Sequence, residues 1–473
     1  MKKAVFILIC LYCHVFSQNG YTDRDEAKNK IVGNLKQGKW IHYMDSAWNI
    51  TIDDSATYYR LVIYNHNVPV GIGRDYYLNH QLQNEFNYVN GLKEGKSTWY
   101  YETGELDSEG YYLNDKRTGD AKWYYSSGKI KEKATYIEGM REGMCTWYFE
   151  DGKIESEVNY KNENKEGVQK WYYESGNIKS EAVFVNGINN GYYKWYYESG
   201  KLEGESNYIN DKKEGVERWY YENGILNIEN NFKNDKNSGI HKWYFENGKI
   251  DSEVEFIDGK KTGVQKWYNK STNTISTETN YINDIRNGPS KEYYKSGKLY
   301  SEMNYINGKA EGLQKFYFES GKIKREVNYK NDEFNGRLLT YWENGQIKRD
   351  DKYENGKLIE GKITDFNGKK IKYFDYMAEP EIIGGSKQLE KYVKSELKYP
   401  ERSKKNGIKG EVLLEFTIDI DGSVNDVEII DGINKELDEE AVRVIKKMPK
   451  WKPYMEDGEI TETRIEFPIE FSL

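Results

Sequence analysis

Cysteine, histidine and proline are all scarce in this chain of 473 residues, and each shortage removes a class of protein. Three cysteines and five histidines are too few ligands for a structural zinc module. Cys10 and Cys13 sit in the apolar N-terminal run, so once that run is removed Cys145 stands alone and no intramolecular disulfide can form. Basic excess is missing too: 70 Lys and Arg face 78 Asp and Glu, a net charge of −8, which gives no support to nucleic-acid binding. No apolar segment after residue 17 could span a bilayer, which needs about 20 residues. No Ser/His/Asp, Cys/His or metal-ligand constellation stands apart from the rest of the sequence. The chain is therefore expected not to be an enzyme and to carry no cofactor and no metal.

The N-terminus reads as a secretory signal. Lys2 and Lys3 precede the apolar stretch 4–15, and Val15 and Ser17 suit a cut after residue 17. The expected product is periplasmic or peripheral to an outer membrane, and less favourably anchored in the inner membrane.

Against these absences stand 43 Tyr, 12 Trp, 16 Phe and 43 Gly. They are periodic. Trp99, Trp123, Trp147, Trp171, Trp195, Trp219, Trp243 and Trp267 fall 24 residues apart, each four residues after a glycine. A second glycine follows most of them by five residues, as in the copy Gly167–Glu181. Twelve clear copies span 71–360; one extra residue in the 271–275 turn shifts the frame, and Asp75, Glu292, Phe316 and Thr340 take the Trp slot in the outer copies. Residues 18–70 are expected to be an N-terminal cap with degenerate repeats, and 361–378 a degenerate repeat and linker.

Aromatic and β-branched residues on both sides of a Ser/Asn-Gly turn predict a hairpin in each copy. Strand one is the Trp-Tyr-Tyr-Glu stretch, and strand two runs from the Ile or Leu to the Tyr or Phe, as in Ile178 to Phe184. Simple alternation puts Trp171 and Tyr173 on one face and Tyr172 and Glu181 on the other. The fold class is thus mainly β, an elongated antiparallel ribbon of hairpin repeats. These letters resemble the MORN-type repeat, in particular the variant of the YwqK-like antitoxins, which implies a protein- or membrane-binding scaffold. The Tyr row Tyr100, Tyr124, Tyr148, Tyr172, Tyr196, Tyr220 and Tyr244 is a candidate surface for a glycan or a protein partner. The alternative is that it only stabilises the sheet. The recurrent Glu157, Glu181, Glu205, Glu229, Glu253, Glu302 and Glu326 read as solvated positions rather than catalytic pairs.

Past residue 376 the texture changes. Five of the seven prolines lie in the tail, and between 379 and 473 there are 22 acidic against 15 basic residues, so most of the charge excess is here. Patterning predicts a separate α-β-β-α-β domain over 379–473: a helix N-capped by Ser386, a hairpin turning at Asp421-Gly422, a helix over 437–448 and a strand over 460–473. Gly384-Gly385, Tyr399-Pro400, Asp421-Gly422, Met448-Pro449 with Trp451 and Pro453, and Phe467-Pro468-Ile469 with Phe471 resemble the C-terminal domain of TonB-family proteins. Ser403 and Tyr454 depart from that pattern, where the family usually has Ala and Gly. The resemblance implies that the domain binds a segment of a TonB-dependent outer-membrane receptor by strand addition. The pairing edge would lie at Thr463, Arg464, Ile465, Glu466 and Phe467. The expected function is an exported envelope adaptor. A membrane-anchored TonB-type energy transducer and a cell-envelope glycan-binding repeat array are the alternatives.

Overall fold

The computed structural model describes residues 20–52 and 55–472; the expected signal peptide lies outside them. The chain divides into two compact units. One reaches to Ile323 and takes in Asn328–Glu333; the other holds Lys324–Val327 and Phe334–Leu473.

In the first unit one copy explains the rest. Strand Gly167–Tyr172 pairs antiparallel with Ile178–Val185, placing Trp171 opposite Ser180. On its other side Trp171 lies opposite Ser156 of the preceding copy. Small residues on both flanks leave room for the indoles to lie over the sheet, where Trp195 stacks 5.0 Å from Trp219 and 4.4 Å from Tyr193. Such pairs contribute about 0.5–1.5 kcal/mol each beyond burial.

Strand one begins and ends earlier than alternation predicts. It starts at Gly167, and Tyr173 already belongs to the turn, where its N–H donates to the Asn177 carbonyl and the Gly176 N–H donates to the Tyr173 carbonyl. Gly176 has a φ of 95°, a conformation cheap only for glycine, and it closes a three-residue turn with a bulge. The register also shifts between Trp171 and Tyr172: they pair with Ser180 and Ile178, so Lys179 is an extra residue on the partner strand. The Tyr173 hydroxyl donates to the Tyr196 carbonyl of the next copy at 2.8 Å. Tyr101, Tyr125, Tyr197, Tyr221 and Tyr294 repeat that bond at 2.6–2.7 Å. Each bond spans 23 residues and locks one copy to the next.

Asn-Asp pairs turn the chain between copies. Asn210 and Asp211 have φ of 53° and 64°, the primed turn that matches strand twist. The Asp211 carboxylate also accepts the Asn189 N–H of the preceding copy at 2.7 Å. The copy with the extra residue forms as the others do: Lys260–Tyr268 pairs with Ile275–Ile282 around a longer turn. The copy at Gly71 forms too, from Val68–Tyr77 and Leu82–Val89. Ahead of it Leu35–Met44 and Tyr58–Asn65 continue the ladder, and Tyr21, Tyr59, Leu61 and Tyr76 close a small core.

The second unit ends in an α+β domain. A central strand, Gly410–Ile418, is flanked by the hairpin strand Val424–Asp431 and the closing strand Thr463–Phe471. Val412, Leu414, Phe416 and Ile418 alternate inward onto Leu437, Ala441, Val444 and Ile445 of helix Lys435–Lys446. That helix is capped by Asn434, whose side chain accepts from the Glu436 and Leu437 N–H groups. Helix Ser386–Glu396 is not capped as expected: Ser386 is its first helical residue, and Gly385 precedes it without a side-chain cap. The basic turn after Pro400 is a short helix, Glu401–Lys405. Its Ser403, buried where the TonB pattern has Ala, donates to Glu436 at 2.8 Å. Gly422 permits the hairpin turn. Its φ is 83°, and a Cβ there would lie 2.1 Å from the Trp451 carbonyl oxygen. The final strand is interrupted at Glu462, with Glu459–Thr461 pairing instead with Tyr454–Glu456.

The same unit includes, from Phe334 on, the hairpin formed by Glu333–Tyr341 and Ile347–Glu354. From it Arg349, with a fully buried side chain, reaches Asp457 at 2.7 Å, Asp351 at 2.8 Å and the Phe374 carbonyl at 3.0 Å. Lys348 adds a 3.1 Å pair to Asp457. Three ring faces, from Tyr373, Phe374 and Tyr376, surround the Arg349 guanidinium. Nearby, Arg325 and the Tyr376 hydroxyl both donate to Glu456. The last hairpin of the array and the terminal domain are thus bolted together by buried charge.

Candidate functional site

The closing strand Thr463–Phe471 is an edge strand. All nine of its residues pair with Gly410–Ile418 without a bulge, from Thr463 opposite Ile418 to Phe471 opposite Gly410. It has no partner on its other side among the described residues. Ile465, Phe467, Ile469 and Phe471 face the core, while Arg464, Glu466, Pro468 and Glu470 are exposed. Proline is at home on such an edge, where it need not donate to a ladder. Arg464 reaches Glu415 of the central strand at 2.8 Å, a pair between neighbouring strands on the solvent face. Of the expected edge residues, Thr463, Ile465 and Phe467 are half-buried and Arg464 and Glu466 exposed.

Beside this edge runs a groove of about 570 Å³. Helix Ser386–Glu396 and the residues after it supply Leu389, Val393, Leu397 and Tyr399, and the closing strand supplies Phe467 and Phe471. Helix Ser386–Glu396 and the residues after it are tied to helix Lys435–Lys446. Tyr392 donates to the Val444 carbonyl at 3.1 Å, Arg443 pairs with Glu440 at 2.8 Å, and Glu440 accepts the Lys398 N–H at 2.6 Å. The Arg443 and Lys398 contacts also hold the Glu440 carboxyl below its ordinary range, against the opposing effect of burial. The stripe Leu389, Val393 and Leu397 is legible in the sequence as a helix face. That this stripe borders an open edge, instead of being sealed by it, becomes visible only in the structure.

The Tyr row in the array has a different character. Tyr124, Tyr172, Tyr196 and Tyr220 are half-buried, and their hydroxyls donate to Glu109, Glu157, Glu181 and Glu205 of the preceding copy at 2.6–3.3 Å. Burial first, and the carboxylate second, push the phenols of Tyr124 and Tyr196 up to about 12. Under Tyr148 the corresponding residue is Lys133, whose ammonium lies 5.1 Å from the ring centre. Glu205 and Glu229 are also engaged by Arg218, at 3.8 and 2.9 Å. The recurrent glutamates thus serve as acceptors within the sheet.

Comparisons with known families agree with this geometry. Residues 395–473 match the family described as Gram-negative bacterial TonB protein C-terminal. Ten segments between 93 and 355 match the MORN repeat variant, and the copies at Gly71 and Gly263 fall outside those matches although both form hairpins. No curated protein matches the chain. Among solved structures, TcdB2-TccC3 without its hypervariable C-terminal region is 11% identical over 65% of this chain and 19% of that one, with a TM-score of 0.13. A Bacteroides caccae protein of unknown function is 13% identical over 63% of this chain and 96% of that one, also with a TM-score of 0.13. A porin-like protein from Bacteroides uniformis is 8% identical over 63% and 91%, with a TM-score of 0.09. Among the described residues no helix is long and apolar enough to cross a membrane. The chain is a Gram-negative envelope protein whose scaffold is built of MORN-variant repeats and which ends in a TonB-type C-terminal domain.

Proposed function

We propose that the terminal domain binds a protein partner by taking one of its extended segments as an added strand along Thr463–Phe471. The partner class is a TonB-dependent outer-membrane receptor, and the protein acts as a periplasmic or outer-membrane-peripheral adaptor, not an enzyme. The repeat array serves as its interaction scaffold. The observation that carries this reading is the pairing of an unpartnered edge with an apolar groove beside it. An incoming strand would gain main-chain hydrogen bonds from the edge and place alternate side chains over Leu389, Val393 and Phe467. The buried Arg349 cluster supports the adaptor role, because it couples the binding domain to the end of the array.

Calorimetric titration of the protein with a synthetic peptide from the N-terminal segment of such a receptor tests this. Saturable binding is expected, weakened about tenfold or more by Val393→Glu, which puts a charge in the groove, with circular dichroism checking that the variant stays folded. Absence of saturable binding, or equal affinity in the variant, would remove the proposal.

A further inference from the structure

Near the start of the array the repeat letters fail together at one copy. Asp75 stands in the Trp slot, and its side chain is fully buried. The two positions that hold small serines around Trp171 hold Arg60 and Asn84 around Asp75. Arg60 grips the Asp75 carboxylate with two bonds, at 2.7 and 2.9 Å. A carboxylate is much smaller than an indole, and the space left over is a cleft of about 430 Å³.

The lining of this cleft is unusual for a sheet surface. Its charged groups among the described residues are the cations Arg60, Lys93 and Arg117 and the single carboxylate Asp75, so the cleft is positive. Lys93 is largely desolvated against the Phe86 ring at 4.5 Å, and burial pushes its ammonium below the ordinary range. Arg117 lies over Trp99 at 5.3 Å and makes no ion pair at contact distance among the described residues; its Nε donates to the Tyr112 hydroxyl. Two acceptors point the same way. Among the described residues the Asn84 side-chain oxygen, in a residue 6% exposed, has no hydrogen-bond partner, and neither does that of Gln83. Leaving such buried acceptors unmet costs about 1–3 kcal/mol each, which a ligand hydroxyl would recover.

We propose that this cleft binds an anionic sugar residue. The two cations not paired with Asp75 meet its acid group, the amide oxygens of Gln83 and Asn84 accept from its hydroxyls, and Trp99 and Tyr112 offer ring faces to its C–H face. A neutral apolar ligand would leave the cations and amides unmatched. A nucleic acid would need the wide basic surface that the chain lacks.

The test is titration of the whole protein with trigalacturonate, with glucose 6-phosphate and with neutral cellotriose. Saturable one-to-one binding is expected for at least one anionic probe, weakened by salt, and about tenfold weaker for the neutral sugar. Which anionic probe binds distinguishes a uronate from a sugar phosphate. The double variant Arg60→Ser with Asp75→Trp restores the regular repeat letters at two of the three positions, should keep the circular dichroism of the sheet, and should lose binding. Lys93→Gln, a milder change, should weaken the anionic probe alone. Absence of saturable binding of both anionic probes, equal binding of cellotriose, or retained binding in the folded double variant would overturn the proposal.

Discussion

Replacing Arg349 by Leu should loosen the terminal unit more than any surface change of charge. The guanidinium has no exposed surface and satisfies Asp351, Asp457 and the Phe374 carbonyl together. The two acids are not left equally. Asp457 keeps Lys348 at 3.1 Å, whereas fully buried Asp351 keeps, among the described residues, only the Tyr373 hydroxyl at 3.0 Å. Breaking a buried pair by removing one partner costs about 3–5 kcal/mol, mostly as the orphaned charge. Most of that loss should therefore sit on Asp351, and Arg349→Leu with Asp351→Leu should recover about 2 kcal/mol or more of it. Urea unfolding of the protein, followed by backbone amide exchange at residues 410–418, measures both values. A single variant that loses less than about 1 kcal/mol, or a double variant no better than the single, would refute the assignment of this cluster as the bolt.

The array should be sensitive to alkali. Tyr124, Tyr196, Tyr268, Tyr293 and Tyr341 have phenols pushed up to about 12, by burial first and by their Glu acceptors second. A raised phenol pKa gives stability that is complete below about pH 10, the unfolded value, and is lost as pH climbs through 12. Circular dichroism should show unfolding in that window, and Tyr172→Phe should lower the melting temperature at neutral pH by removing the 2.6 Å bond to Glu157. Gly422→Ala should destabilise the terminal domain by at least about 2 kcal/mol, since both its φ and its approach to Trp451 forbid a Cβ. Cys145 is fully buried and its thiol is pushed up to about 11 by desolvation, so thiol reagents at pH 8 should label it only at the rate of unfolding.

Much of this fold is written locally. The 24-residue spacing of Trp and Gly announces hairpins, and Asn-Asp pairs announce the turns between them, because both are short-range demands on backbone conformation. The strand ends were less legible. A bulge between Trp171 and Tyr172 has no letter of its own, and the hydroxyl bond from Tyr173 to the next copy depends on a register that only pairing sets. Ser386 looked like a cap because its residue type suits one, yet Gly385 takes that position. The ion clusters were hidden for another reason. Arg349 and Asp457 are 108 residues apart, and in a sequence with 31% charged residues nothing marks a charge that will be buried. The failure of the Trp slot at Asp75 was plain, but that Arg60 answers it follows only from their pairing.

The most direct test of strand addition is hydrogen exchange at single-residue resolution across Thr463–Phe471, with and without the receptor peptide. In the free protein alternate amides of this strand should exchange quickly, because one side of it faces no ladder. On binding, those fast amides should become protected while the hairpin strand Val424–Asp431 stays as it was. Protection confined to Val424–Asp431, or to the repeat array, would contradict the account.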